Sequence, residues 1–298
     1  MSNQWLRDFS LQVGDDGGDG LDFSAFRVAF RIEKKDSAEP NNAIFQIYNV
    51  TRETFQKVQK EFTQIRFEAG YKGNKALIFK GNVKQVAFAR ENGTDSILTI
   101  AAGDGDEAHN FAICNQTLAA GAKQGDVFDA ASGKMAEFNV ESAGLGKDNS
   151  RALPRGKVLY GRASDYLQRA AKEAQCDYSI QDGKIQAPEN KSLGEICFVL
   201  NSRTGLIGAP TETTEGVDAV CLLNPLLKVG SAVQIAQEQI VQNIVGDFSH
   251  DLTIEQEQSK NAADGVFRIF SITYEGDSHG QAWFCSFSAI ATDESAGG

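Results

Sequence analysis

Three groups of residues in this chain have the types that catalysis or metal binding draws on. Asp104, Asp106 and Glu107 crowd three carboxylates into four positions, and paired carboxylates are what glycoside hydrolysis uses as acid and base. They follow an apolar run, residues 97–102, and at the end of a strand such carboxylates ordinarily meet only water. Ser278 beside His279 puts a nucleophile next to a base. Neighbours on a tight turn usually point apart, however, and no Gly-x-Ser-x-Gly elbow occurs. Asp15-Asp16-Gly17-Gly18-Asp19-Gly20 resembles a calcium loop until its positions are counted. Position three is Gly17 and position twelve, where a bidentate glutamate belongs, is Phe26.

Other chemistry is no better served. His109, His250 and His279 lie far apart, and Cys114, Cys176, Cys197, Cys221 and Cys285 are odd in number and irregular in spacing. Neither set has zinc spacing, and the cysteines make no disulfide framework. Three of them sit in apolar runs, where a thiol behaves as a small hydrophobe. No Walker-type phosphate loop is present. The sequence predicts no catalytic residue, no cofactor, no metal site and no enzyme.

The elements that would have to position any site are mostly strands. Phe26, Val28, Phe30 and Ile32 alternate with Arg27, Ala29, Arg31 and Glu33, the period of a half-buried strand. Further strands are expected at 44–48, 65–71, 76–79, 82–89 and 97–102, with Thr51 capping a short helix that ends near Lys60. Many short strands and one helix suggest a closed or nearly closed barrel. The pattern changes after His109. Residues 126–135 and a stretch capped by Ser164 and running to Gln175 are helical candidates, the second with Leu167, Ala170, Ala171 and Ala174 on one stripe. Asp182-Gly183 is a two-residue hairpin signal between 176–180 and 184–186. From Leu193 onward, strands are expected at 196–200, 217–223, 232–236, 266–274 and 283–290, with Gly208-Ala209-Pro210 as a turn. A polar stretch at 237–264 reads as a protruding arm or loop.

The predicted fold is therefore mainly β with a small α/β insert. Two barrel-like, tube-like domains, 1–107 and 188–298, flank a middle module, 108–187. A chain of 298 residues is long enough for two or three such units. The 19 phenylalanines on alternating strand positions are core material rather than a stacking platform, and Trp283 is read as a core or interface anchor. A net charge of −11 argues against gripping a phosphate backbone. No run approaches the roughly 20 apolar residues of a membrane span, and MSNQWLRDFS has no secretory pattern. No direct membrane insertion is expected, and the cytoplasm is the expected site of synthesis.

Several stretches carry a resemblance. TGLIGAPTETTEGVDAVCLLNPLLKVGSAVQI (204–235) and YEGDSHGQAWFC (274–285) are similar to the central hub proteins of phage tail baseplates, as are SAEPNNAIFQIYNVT (37–51), FEAGYKGNKALIFKGNV (67–83) and LTIAAGDGDEA (98–108). Val158 to Gln186 resembles the domain inserted in such hubs. The resemblance implies a homotrimer whose six barrel-like domains form a pseudo-six-fold ring joining the tail tube to the spike. Its expected partners are the tube or tube-initiator protein, the spike protein and other baseplate proteins. DNA would pass only as cargo; the net charge of −11 reads first as a matter of solubility, and alternatively as an acidic wall along which a strand slides without sticking. The expected location is the virion tail baseplate, assembled in the bacterial host cytoplasm. Two alternatives stay open: a peptidoglycan-binding or peptidoglycan-degrading tail protein, and the hub of a phage-like bacteriocin or secretion system.

Overall fold

The computed structural model describes residues 6–15, 20–91, 93–145, 148, 150–189, 196–213, 216–235 and 265–291. The first stretch contains β1 (Arg7–Gly14), β2 (Gly20–Asp22), β3 (Val28–Lys35), β4 (Asn42–Tyr48), α1 (Arg52–Glu61), β5 (Gln64–Tyr71), β6 (Asn74–Glu91) and β7 (Asp95–Gly103). The alternation expected from Phe26 onward is realised in β3, where Val28, Phe30, Ile32 and also Lys34 are buried. Thr51 caps α1 as expected, its hydroxyl accepting the Thr54 N–H at 3.2 Å. The helix buries Val58 and lays Phe55 on Phe88 at a ring separation of 5.2 Å.

The strands expected at 76–79 and 82–89 are one bent strand. β6 pairs with β5 through residue 82 and with β7 from there on, with a register shift between Val83 and Gln85. An extra residue at a bulge bends a strand and re-aims its edge, which is how one strand changes partners here.

The middle stretch runs α2 (Asp106–Phe111), β8 (Ile113–Leu118), α3 (Gln124–Met135), β9 (Glu141–Leu145), β10 (Lys157–Arg162), α4 (Ala163–Glu173), β11 (Ser179–Gln181) and β12 (Lys184–Ala187). Leu167, Ala170, Ala171 and Ala174 are buried as their spacing predicts. Ser164 is not the cap. The helix starts two residues earlier, at Ala163, Arg162 holds the cap position, and the Ser164 hydroxyl donates to the His109 carbonyl at 3.0 Å. Asp182 and Gly183 have φ of 57° and 78°, the left-handed pair that a tight hairpin turn requires.

The last stretch contains β13 (Cys197–Leu200), β14 (Leu206–Glu212), β15 (Gly216–Leu222), β16 (Ala232–Ile235), β17 (Val266–Asp277) and β18 (Trp283–Ala291). Gly208-Ala209-Pro210 does not end a strand. It lies inside β14, where the pairing with β15 shifts between Ile207 and Thr211. β14 ends the sheet, and proline, which lacks an N–H, is tolerated on an edge strand or at a bulge. The arm expected at 237–264 lies outside the described residues, as does most of the Asp15 to Gly20 turn.

Thirteen strands form one sheet in the order β14-β15-β18-β17-β3-β4-β7-β6-β5-β1-β2, with β13 joined to β16 and β16 to β17. β17 is the seam. β18 lines one of its edges, while β16 takes residues 266–268 and β3 takes 271–277 of the other. The two β regions thus share a ladder, and they share a core as well, since one buried apolar cluster draws on both. Trp283 from β18 packs edge-on against Phe30 at 5.4 Å, Phe30 meets Phe67 at 4.6 Å, and Phe67 meets Phe45 at 5.1 Å. Gly276 makes room for this stack, because a Cβ there would lie 2.6 Å from the Phe30 ring and 2.7 Å from Trp283. A second apolar cluster, built on Phe128, Met135, Leu159, Leu167 and Ile180, belongs to the middle stretch.

Candidate functional site

The carboxylates singled out in the sequence do not converge on a cleft. Asp104 is fully buried. Its oxygens accept the backbone N–H groups of Asp182 at 2.5 Å and Gly183 at 2.8 Å. Asp106 pairs with Lys84 at 2.9 Å, and Glu107 accepts from the Asn82 side-chain amide at 3.2 Å. Each of the three thus has its own structural partner.

Around Asp104 the structure builds a buried polar junction where three parts of the chain meet. Lys34 of β3 is ion-paired with Asp182 on the β11–β12 turn, and Lys228, which precedes β16, reaches the other oxygen of Asp182 at 3.0 Å. Asn41 donates to the Ile180 carbonyl at 2.8 Å and to the Gln181 side chain at 3.0 Å, while Gln181 donates to the Lys35 carbonyl at 2.9 Å. Burial pushes the Asp104 carboxyl up to about 7; Lys34 opposes the shift, Asp182 adds to it, and the two backbone donors oppose it. Burial also works against the Asp182 carboxylate, yet Lys34 and Lys228 hold it below the usual range. Asp182 is therefore the ionised member of the carboxyl pair, and the two lysines answer its charge.

Ser278 and His279 do touch, contrary to the expectation for adjacent turn residues, with Ser278 Oγ 3.0 Å from His279 Nδ1. The turn brings them together by its own bonding. Asp277 accepts the His279 N–H at 2.9 Å, and Ser278 Oγ accepts the Val28 N–H at 3.0 Å. Two arginines from the first β region clamp this turn. Arg7 donates to the Asp277 and Gly280 carbonyls at 2.7 and 2.5 Å and to the Gln281 carbonyl at 3.0 Å. Arg27 pairs with the Asp277 carboxylate at 2.7 Å and holds it below the usual carboxylate range. The Trp283 indole N–H donates to the Gly70 carbonyl at 3.2 Å, so Trp283 is a core anchor as expected. The residues of the YEGDSHGQAWFC stretch thus tie the last hairpin to the first strands.

Edges and exposed apolar residues are the remaining surface features of note. The sheet ends at β14 on one side and at the three-residue β2 on the other. Ile196 and Val199 are exposed in and beside β13, and Ile207 in β14. On the middle module Phe111, Ile113, Val158 and Tyr160 are exposed, the last three on the outer face of the β8–β10 pair. Sequence reasoning missed the junction. Lys34, in phase with Phe30 and Ile32 on an inward strand face, was the available signal for a buried charge.

No protein-family profile matches the chain, and no curated protein matches it. Solved structures do. A tail protein from Neisseria meningitidis MC58 superposes with a TM-score of 0.59 at 10% identity, over 97% of this chain and 97% of its own. The 43 kDa tail protein of prophage MuSo2 from Shewanella oneidensis gives 0.60 at 10% identity, over 96% and 98%. An E. coli component of the type VI secretion system, described as structurally similar to the T4 bacteriophage tail proteins gp27 and gp5, gives 0.56 at 11%, over 90% and 74%. Identities so low speak for the fold alone, and on that level the chain is built like phage tail proteins and a type VI secretion component, the kind of fold that the hub resemblance implies.

Proposed function

We propose that the chain is the structural hub of a phage tail baseplate and not an enzyme. Three copies close into a pseudo-six-fold ring that joins the tail tube to the spike and leaves a channel for DNA. In this reading residues 1–107 and 188–298 are the two tube-like domains and 108–187 is the inserted module. The observation that carries it is the end-to-end likeness to two tail proteins over 97% and 96% of the chain. The architecture adds support. Two β regions per chain, fused by the β3–β17 ladder, are what three copies need to present six similar units. Open sheet edges with exposed Val199 and Ile207 are surfaces that a neighbouring subunit would cover. The separate partners of Asp104, Asp106 and Glu107 support a role without catalysis.

A second reading, the hub of a secretion system or phage-like bacteriocin, is favoured by the likeness to the E. coli type VI component. The two differ in what passes through the ring, so the DNA content of purified particles separates them. The test of the hub itself is a mass measurement on the purified protein, alone and mixed with its tube and spike proteins. A mass near three times 32.2 kDa in either sample is expected. A strict monomer in both would overturn the ring. Clearing of peptidoglycan by the purified protein would instead favour the cell-wall alternative.

A further inference from the structure

Cys221 and Cys285 are directly opposed residues of β15 and β18. Their sulfurs lie 3.3 Å apart inside the core, both essentially without exposure. Directly opposed antiparallel residues have Cα atoms about 4.5–5.5 Å apart, inside the span of roughly 4.4–6.8 Å that a disulfide bridges. The sulfurs need only a small side-chain rotation to reach bonding distance. No other described cysteine is so placed: Cys114 and Cys176 are buried in the middle module, and Cys197 is exposed on β13.

We propose that Cys221 and Cys285 form a redox staple, a dithiol in a reducing environment that closes to a cross-strand disulfide in an oxidising one. The staple joins β15, which carries the sheet's terminal strand β14, to β18, which carries Trp283. It links residues 64 apart, so it restricts the unfolded chain and favours the folded one.

The oxidant is a low-molecular-weight disulfide such as oxidised glutathione. In the open chain both thiols are ordinary exposed thiols, and the exchange is the same whichever attacks first. Where Cys285 leads, its thiolate attacks the glutathione disulfide, one glutathione leaves and takes up the proton, and a mixed disulfide remains. Cys221 then loses its proton and attacks the Cys285 sulfur, releasing the second glutathione. Two protein thiols are oxidised and one small disulfide is reduced. Because both sulfurs are closed off in the folded chain, this exchange runs while the β15–β18 ladder is still open.

The test uses the full chain carrying Cys197→Ser, which removes the exposed thiol. The protein is refolded in oxidised and in reduced glutathione, alkylated and mapped by peptide mass. A peptide linking Cys221 to Cys285 and a higher denaturation midpoint are expected in the oxidised sample. Full alkylation of both cysteines in folded oxidised protein, or a linked chain with a lower midpoint, would overturn the staple. The double variant Cys221→Ser/Cys285→Ser should abolish the difference between oxidised and reduced midpoints.

Discussion

The two β regions and the middle module are attached to the rest of the molecule by opposite means. The β regions are joined by seven residue pairs of the β3–β17 ladder and by a run of aromatic rings through Trp283, Phe30, Phe67 and Phe45. The middle module has its own apolar core and meets the frame at a cluster of buried side-chain charges and amides. Backbone pairing with shared rings opens only when the sheet itself is lost. A joint of charged side chains depends on protonation, and removing one partner leaves another exposed to full desolvation. The difference predicts one cooperative frame and a separately adjustable insert.

The strongest attempt to break this contrast is Trp283→Ala. It removes the ring contacts with Phe9 and Phe30 and the bond to Gly70, and a buried tryptophan truncation costs about 3–5 kcal/mol. Strand amides on both sides of the seam should lose hydrogen-exchange protection together. Loss confined to β13–β18 would mean that the two β regions are not one unit. Next comes Lys34→Met, which leaves Asp182 with Lys228 alone in a buried site. Breaking such a pair costs on the order of 3 kcal/mol, and the exchange should rise in β11 and β12 before it rises in β3. Gly276→Ala forces a methyl against Phe30 and Trp283, and overpacking of this kind costs about 1–3 kcal/mol. Here the frame, not the insert, should lose stability.

The pH dependence sharpens the comparison further. Asp104, raised to about 7 in the folded protein, binds its proton more tightly folded than unfolded. Its contribution is complete below the unfolded value and is lost as pH rises toward 7. Asp182 is lowered by Lys34 and Lys228 against burial, so its contribution is present above the unfolded value and is lost as pH falls below it. The insert joint should therefore be firmest near the unfolded carboxylate value of about 4 and should weaken as pH rises from there to about 7. Urea midpoints followed by an insert probe should fall across that interval and level off above it in the wild type, and stay level throughout in Asp104→Asn. The smallest effect is expected from Arg31→Ala. Its ion pairs with Glu33 and Glu275 are exposed, such pairs are worth about 0–1 kcal/mol, and a seam held by backbone and rings should barely register the loss in thermal melting.

Much of the frame was legible in the sequence because its signals are local. Alternation in β3, the Thr51 cap and the Asp182-Gly183 turn each need only a few neighbouring residues. What was missed depends on distant partners. β1 has a readable alternation of Phe9, Leu11 and Val13, yet it gains its identity by pairing with β5. β6 looked like two strands because the bend that lets it change partners is a property of the pairing, not of composition. β8 and β10 escaped because several of their apolar residues face outward, against the ordinary expectation for Ile113, Val158 and Tyr160. Of the candidate site, the carboxylates were visible but their roles were not. Asp104 is defined by a turn 78 positions away, Lys34 by an aspartate 148 away, and the hairpin at Ser278 by an arginine 270 positions upstream.

The seam also sets an order of events during synthesis. The outer edge of β3 acquires its partner only from residues 271–277, which leave the ribosome long after β3 itself. Arg7 likewise waits for Asp277 and Gly280. Until then the N-terminal strands carry a bare edge, the kind of template that recruits foreign strands. The nascent chain thus cannot complete its sheet before residues 271–277 have emerged. A fragment ending at residue 107 would keep that edge bare indefinitely, and would be expected to clump where the full chain stays dispersed.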